Sequence, residues 1–205
     1  MVLYYGTSET VSCEKLNILN STIERFDPNA ECGNAVVRDS TLIYSKITYV
    51  EKCNMENSKI KIEDNTYIQL VDCELYQSEI VGMNNGTGQI LFKGEKAILE
   101  NCIMRNLKGK GLHDTVYSSY GIQFPSIHLS ELKSNNNVFE SCDVSVLGAL
   151  NLENASFTNS YIYLTPGGTA NAPVLKGCTW ISDVTIRSYK DPNLLECIGE
   201  YTRTS

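Results

Sequence analysis

The chain has 205 residues, of which 42% are hydrophobic and 20% charged, and it carries a formal net charge of −7. That composition can bury the core of one domain and excludes a disordered acidic tail. Lys and Arg form no run, which speaks against a nucleic-acid partner. No apolar stretch approaches the length of a membrane span, so no membrane insertion is expected. The start, Met1-Val-Leu-Tyr-Tyr-Gly, has neither the basic residues nor the apolar core of a signal peptide, so folding in a cytoplasm is expected.

Residues 1–12 show no pattern and read as a lead-in or an N-terminal cap. From 13 to 104 the chain reads as coils. A short phrase first occurs in degraded form as Ile18-Leu-Asn-Ser21-Thr-Ile23, then three times between 37 and 82. The copies are centred on Ser40-Thr-Leu42, Cys53-Asn-Met55 and Cys73-Glu-Leu75, and each is followed by Ser45, Ser58 or Ser78 and by Ile47, Ile60 or Ile80. The phrase returns over 138–188 around Cys142, Ala155 and Cys178. Repetition near 20 residues signals a solenoid, and the alternating apolar positions have the two-residue period of strands. Asn20, Asp39, Asp72, Asn101, Ser141, Asn154 and Gly177 precede the small residue and suit tight corners, with Lys52 as the exception. The spacing of the small slots varies from 13 residues (Ser40 to Cys53) to 40 (Cys102 to Cys142). The expected fold is therefore all-β: a single parallel β-helix with irregular coils of about 13–30 residues. Residues 189–205 read as a C-terminal cap or tail.

Cys53, Cys73, Cys102, Cys142 and Cys178 are read as one small-residue stack, with Ser21, Ser40 and Ala155 filling the same slot. They can be reduced thiols acting as small hydrophobes, or neighbouring coils can be bridged, because strands ~4.8 Å apart are within disulfide reach. There is no CxxC pair, and no metal or cofactor is expected.

The phrase is absent over 105–137, which is either a loop insertion or an irregular coil served by Ile122, Phe124 and Ile127. Both histidines lie here, and long interruptions of a repeat often carry function. Candidate binding residues are His113, Asp114, Tyr117 and Tyr120. His113-Asp114 could also act as an acid/base pair, although no nucleophile motif accompanies it. A second candidate set is an outward stripe of Lys59, Lys61, Tyr161, Tyr163 and Arg187, with Lys46, on which a sugar could stack.

The repeat phrase resembles that of the right-handed parallel β-helix proteins, the pectin-lyase-like superfamily, over residues 11–188. That resemblance implies a solenoid and a choice among polysaccharide lyases, glycoside hydrolases, adhesins and phage tailspikes. The catalytic Asp-Asp and Gly-His-Gly signatures of the β-helix polygalacturonases are absent, as are the Asp clusters that hold calcium in the lyases, so no catalytic residue is assigned. The expectation is a structural and receptor- or glycan-binding protein, a homotrimeric tail fibre or spike component of a virion. A polysaccharide lyase or glycoside hydrolase is one alternative. Two blocks, Cys53–Ile62 and Ala155–Leu164, also resemble pentapeptide repeats, and an acidic DNA mimic is the second alternative.

Overall fold

The computed structural model describes residues 17–24, 36–44, 48–109, 120–165, 172–188 and 191–204. They form one parallel β-solenoid of about seven turns, and no helix occurs among the described residues. Each turn runs through three short strands, one on each face of the rod.

The first face stacks β1 (Asn17–Leu19), β3 (Val36–Arg38), β6 (Asn54–Glu56), β9 (Glu74–Tyr76), the end of β11 (Gln89–Glu100), β14 (Leu129–Asn135), β17 (Asn151–Glu153), β20 (Val174–Lys176) and β23 (Asn193–Leu195). The second face stacks β2 (Thr22–Glu24), β4 (Thr41–Tyr44), β7 (Lys59–Ile62), β10 (Glu79–Gly82), β12 (Ile103–Arg105), β15 (Val138–Glu140), β18 (Ser156–Thr158) and β21 (Thr179–Ser182). The third stacks β5 (Thr48–Glu51), β8 (Tyr67–Val71), the start of β11, β13 (Ile122–Pro125), β16 (Asp143–Leu147), β19 (Tyr161–Thr165), β22 (Thr185–Ser188) and β24 (Thr202–Thr204). Every pairing is parallel and joins one coil to the next, so the strands below the last coil turn alternate side chains into the rod.

Like side chains stack on like. Ile23, Leu42, Ile60, Ile80, Met104, Phe139, Phe157 and Trp180 form one inward column of the second face. Phe139 and Phe157 stack face to face at 4.9 Å, as do Phe92 and Phe124 on the third face. Such contacts add about 1 kcal/mol to the burial of each ring.

The corners explain both the repeat and its irregularity. The corner from the first face to the second carries Ser21, Ser40, Ser58, Ser78, Cys102, Asn137, Ala155, Cys178 and Cys197, one per coil. Each follows a residue in the left-handed region, including Gln77 and Glu196 as well as the expected Asn and Asp. The serines do more than fill space. Ser58 Oγ donates to Glu56 O at 2.8 Å and accepts the Ser40 N–H at 3.3 Å, and Ser78 Oγ accepts the Ser58 N–H at 3.2 Å. A left-handed corner turns this N–H away from the strand ladder, and the hydroxyl of the next coil takes it up.

The register of the sequence phrase is corrected here. Cys53 and Cys73 lie at the corner from the third face to the first, Cys142 at the corner from the second to the third, and only Cys102 and Cys178 in the serine column. The five cysteines therefore belong to three columns. Coil steps along the serine column are 19, 18 and 20 residues, and the step from Cys102 to Asn137 is 35. The apparent coils of 13 residues each span only two faces. All three corners ask for the same local geometry, a left-handed residue before a small one, so the local phrase cannot tell them apart. Lys52, the chemical exception, adopts it as well, with φ at 52°. Three faces per coil also set aside the four-sided pentapeptide arrangement.

Over 120–137 the irregular-coil alternative holds. Ile122 and Phe124 are buried on the third face, β14 continues the first, and Ile127 is exposed at the turn between them. Asn137 puts a large amide in the small-residue column, where its Oδ1 accepts the Cys102 N–H at 2.8 Å and its Nδ2 donates to Leu99 O and Ser134 Oγ at 2.9 Å each. Ser134 stands in the column that Leu75, Leu99, Leu152 and Leu175 otherwise fill, so a small residue there makes room for the large one.

The corner chemistry sets an expected outcome for urea unfolding. Ser58→Ala leaves the Ser40 N–H unpaired in a buried corner and should cost roughly 1–3 kcal/mol. Ser58→Cys, which keeps a weak acceptor as Cys102 does, should cost less. Equal losses for the two variants would mean that the slot selects for size alone.

Candidate functional site

The predicted stripe of cations and tyrosines is divided by the fold. Lys59 and Lys61 lie on β7 of the second face, whereas Tyr161, Tyr163 and Arg187 lie on β19 and β22 of the third. Lys59 is engaged by Glu79 of the next coil at 2.6 Å. That pair opens a ladder in which Glu79 meets Arg105 at 2.9 Å and Arg105 meets Glu140 at 2.8 Å. The carboxylates raise the Arg105 pKa, Glu140 first through its hydrogen bond. These groups are partly exposed, so each pair stabilises by a fraction of a kcal/mol to about 1 kcal/mol.

On the third face the structure does bring predicted residues together. Tyr120 lies over Tyr163 with ring centroids 5.1 Å apart and planes 7° from parallel, and it reaches Tyr161 at 6.5 Å. The Arg187 guanidinium sits 5.9 Å from the centre of the Tyr163 ring. Tyr120 and Tyr163 are only 1% and 5% exposed, so the cluster is a packed outer layer rather than an open platform. His113, Asp114 and Tyr117 lie outside the described residues, as do Lys46 and residues 1–12.

The buried thiols are held in their protonated form. Desolvation pushes Cys142 and Cys178 up to about 12, and it raises Cys73 and Cys102 as well. None of the six described cysteines is bridged.

Open concave surface lies on the first face, where the sequence placed no site. The strands β14 and β17 pair at Asn135 and Glu153, and the pairing does not extend towards their N-terminal ends. Beside this break in the ladder lies a cleft of about 370 Å³ lined by Tyr76, Ile98, Glu100, Leu132, Lys133, Asn135, Asn151 and Glu153. Register puts Tyr76, Glu100, Asn135 and Glu153 in one outward column, with Glu74, Ile98, Lys133 and Asn151 beside them. Desolvation, then the charges of Glu74 and Glu100, raise the Tyr76 pKa, and its hydroxyl donates to Glu74 Oε2 at 3.2 Å. The phenol therefore stays neutral and its ring is held in place at the rim.

A second, wider hollow of about 670 Å³ lies at the corner between the third and first faces, beside Glu51, Asp72, Glu95 and His128. Here β11 crosses the corner without stopping. Asp72 Oδ1 accepts the N–H groups of Glu95 at 2.6 Å and Lys96 at 3.1 Å, and this carboxylate takes the space that a Cβ at Gly94 (φ 99°) would fill. No group of three metal-ligating side chains occurs among the described residues.

The cleft residues were missed because they are far apart in sequence, separated by whole coils. A signal was present: Tyr76, Glu100, Asn135 and Glu153 each stand two residues before Ser78, Cys102, Asn137 and Ala155 of one corner column. Alignment on that column alone would have stacked them. No protein-family model matches the chain, and comparison with curated proteins finds no match either.

Packing at the third-face cluster predicts that Tyr163→Ala lowers the unfolding free energy by roughly 3–5 kcal/mol, the range for a buried ring. Tyr163→Ala should leave any ligand affinity of the folded protein unchanged. A weakened ligand with unchanged stability would reverse the assignment of this cluster.

Proposed function

We propose that the protein is a structural, glycan-binding β-solenoid that holds a sugar in the first-face cleft between β14 and β17. The observation that carries this reading is the composition of the cleft. A sugar ring offers C–H bonds on its faces and hydroxyls at its rim. Tyr76, Ile98 and Leu132 supply apolar surface, while Asn135, Asn151, Glu100 and Glu153 supply acceptors and amide donors. Lys133 adds a cation that suits an acidic sugar. The cleft is open, and polar groups around it remain hydrated, which favours modest affinity and bridging waters.

Binding is preferred over hydrolysis for a physical reason. Glu100 and Glu153 stand two coils apart on one column, a separation of about 9–10 Å at two strand spacings. The acid of a glycosidase pair needs surroundings that keep its proton, and both of these carboxylates are exposed. The pair in this cleft therefore does not favour hydrolysis there.

The wider reading, a tail fibre or spike component of a virion related to the pectin-lyase-like β-helices, rests on the solenoid together with the sequence phrase. A trimeric state fits it, since open ends and edges of a solenoid call for cover. Exposed Ile181, Leu195, Ile198 and Tyr201 gather at one end of the rod. Light scattering on a size-exclusion column should give a mass of three chains, and a clean monomer at high concentration counts against that assembly.

Binding is tested on a panel of neutral and acidic oligosaccharides with calorimetric follow-up. Tyr76→Ala and Asn135→Ala should each weaken the best ligand about tenfold or more, an effect of about 1.4 kcal/mol. No reducing ends or unsaturated products should form. Failure of every glycan to bind, or binding indifferent to both substitutions, rules the cleft out as the site.

A further inference from the structure

We propose that Cys178 and Cys197 are a disulfide-forming site that fastens the last coil, residues 191–204, to the rod. The two cysteines are successive members of the serine column. The Thr179–Ile198 bridge beside them fixes the register, and the Ile198 N–H donates to Cys178 O at 2.9 Å. In-register parallel strands lie ~4.8 Å apart, inside the ~4.4–6.8 Å range of Cα separations that a disulfide accepts. Both sulfurs turn the same way: Cys178 Sγ lies 3.7 Å from Leu152 O, and Cys197 Sγ lies 3.2 Å from Leu175 O, the matching carbonyl one coil on. After desolvation, the neighbouring Cys197 thiol also raises the Cys178 pKa.

The pair differs from the other stacked pair in one decisive respect. Cys53 and Cys73 are both buried, at 2% and 1% exposure, so no oxidant reaches them. Cys197 is partly exposed while Cys178 is fully buried. That asymmetry assigns roles for reaction with a small-molecule disulfide such as oxidised glutathione. The Cys197 thiolate attacks one sulfur of the reagent, forming a mixed disulfide and releasing one thiol. The Cys178 sulfur then attacks Cys197 Sγ, expelling the second thiol. The protein loses two hydrogens, one reagent disulfide becomes two thiols, and the balance closes. Burial holds the Cys178 thiol up at about 12, so the second step is the slow one.

The last coil is where such a bond would matter. No residue of 191–204 is buried, and Arg203 occupies the column that Ile162 and Ile186 fill below it, paired there with Asp191. Beyond backbone pairing the coil is held by Leu194 and Cys197 against the core and by Tyr201 at the edge of Trp180, so it is more thinly packed than the coils below and opens more easily. A bond to Cys178 ties it to a coil whose inward Leu175, Trp180 and Ile186 are buried.

The full chain, first reduced and then incubated with oxidised glutathione, is alkylated and mapped by mass spectrometry, with amide exchange followed in parallel. The expected product is a peptide pair linked through Cys178 and Cys197, with Cys53 and Cys73 alkylated only after unfolding. Amides of 193–204 should exchange at least tenfold more slowly in the oxidised protein. Cys178→Ser should stop at a single glutathione on Cys197, and Cys197→Ser should leave exchange insensitive to the oxidant. The wild-type map does not depend on either variant folding. Persistent free Cys178 thiol beside a glutathionylated or intermolecularly linked Cys197, or linkage without slowed exchange, overturns the proposal.

Discussion

A three-sided coil must turn three times per revolution, and at most of these turns a left-handed residue swings one backbone N–H out of the strand ladder. Buried and unpaired, that group would cost about 1–3 kcal/mol at every corner. The serine column removes the cost by giving each such N–H the hydroxyl of the following coil. Ser21 N–H meets Ser40 Oγ, Ser40 N–H meets Ser58 Oγ, and Ser58 N–H meets Ser78 Oγ. The interaction runs from coil to coil, so it fixes register as well as satisfying donors. Where the column changes chemistry, the partner changes with it, and Cys102 N–H turns to Asn137 Oδ1; at the corner from the second face to the third, Cys142 N–H finds Ser160 Oγ in the same way.

With two faces and their corner fixed in this way, length variation is displaced to the other two corners. Between β7 and β8 the chain needs only a tight turn. Between β10 and β11 the turn is longer, and Asp64 of the coil below accepts the Asn85 and Thr87 N–H groups at 3.1 Å. Those bonds, Asn85 first, hold the Asp64 carboxyl below its ordinary pKa. The 35-residue step between Cys102 and Asn137 has the same cause in a larger form. It adds the Tyr120 layer on the third face and leads into β14, whose short pairing with β17 leaves the break in the ladder beside the cleft. The concave surface thus lies at the irregular coil.

The solenoid, its inward columns and its corner residues were legible because they are local. Two-residue alternation buried Leu42, Met55, Ile60 and Ile80 as expected, and Asn or Asp before a small residue marked most corners. Which corner each phrase belongs to was not legible. Cys53 and Ser58 stand in equivalent local surroundings five residues apart, and only their partners in adjacent coils assign one to the third corner and the other to the first. The same ambiguity joined Lys59 to Tyr161, which the fold sets on different faces.

The amino-acid sequence by itself determined that this chain coils. The period of its apolar residues and the corner chemistry recur within a few residues and need no distant partner. Only the tertiary structure decided what the coils bring together. The column Tyr76, Glu100, Asn135 and Glu153, the Tyr120–Tyr163 stack and the Cys178–Cys197 pair each join residues one or more coils apart. Their juxtaposition depends on the residue count of every intervening turn. A solenoid accumulates that count along its axis, so one reassigned corner shifts every column beyond it.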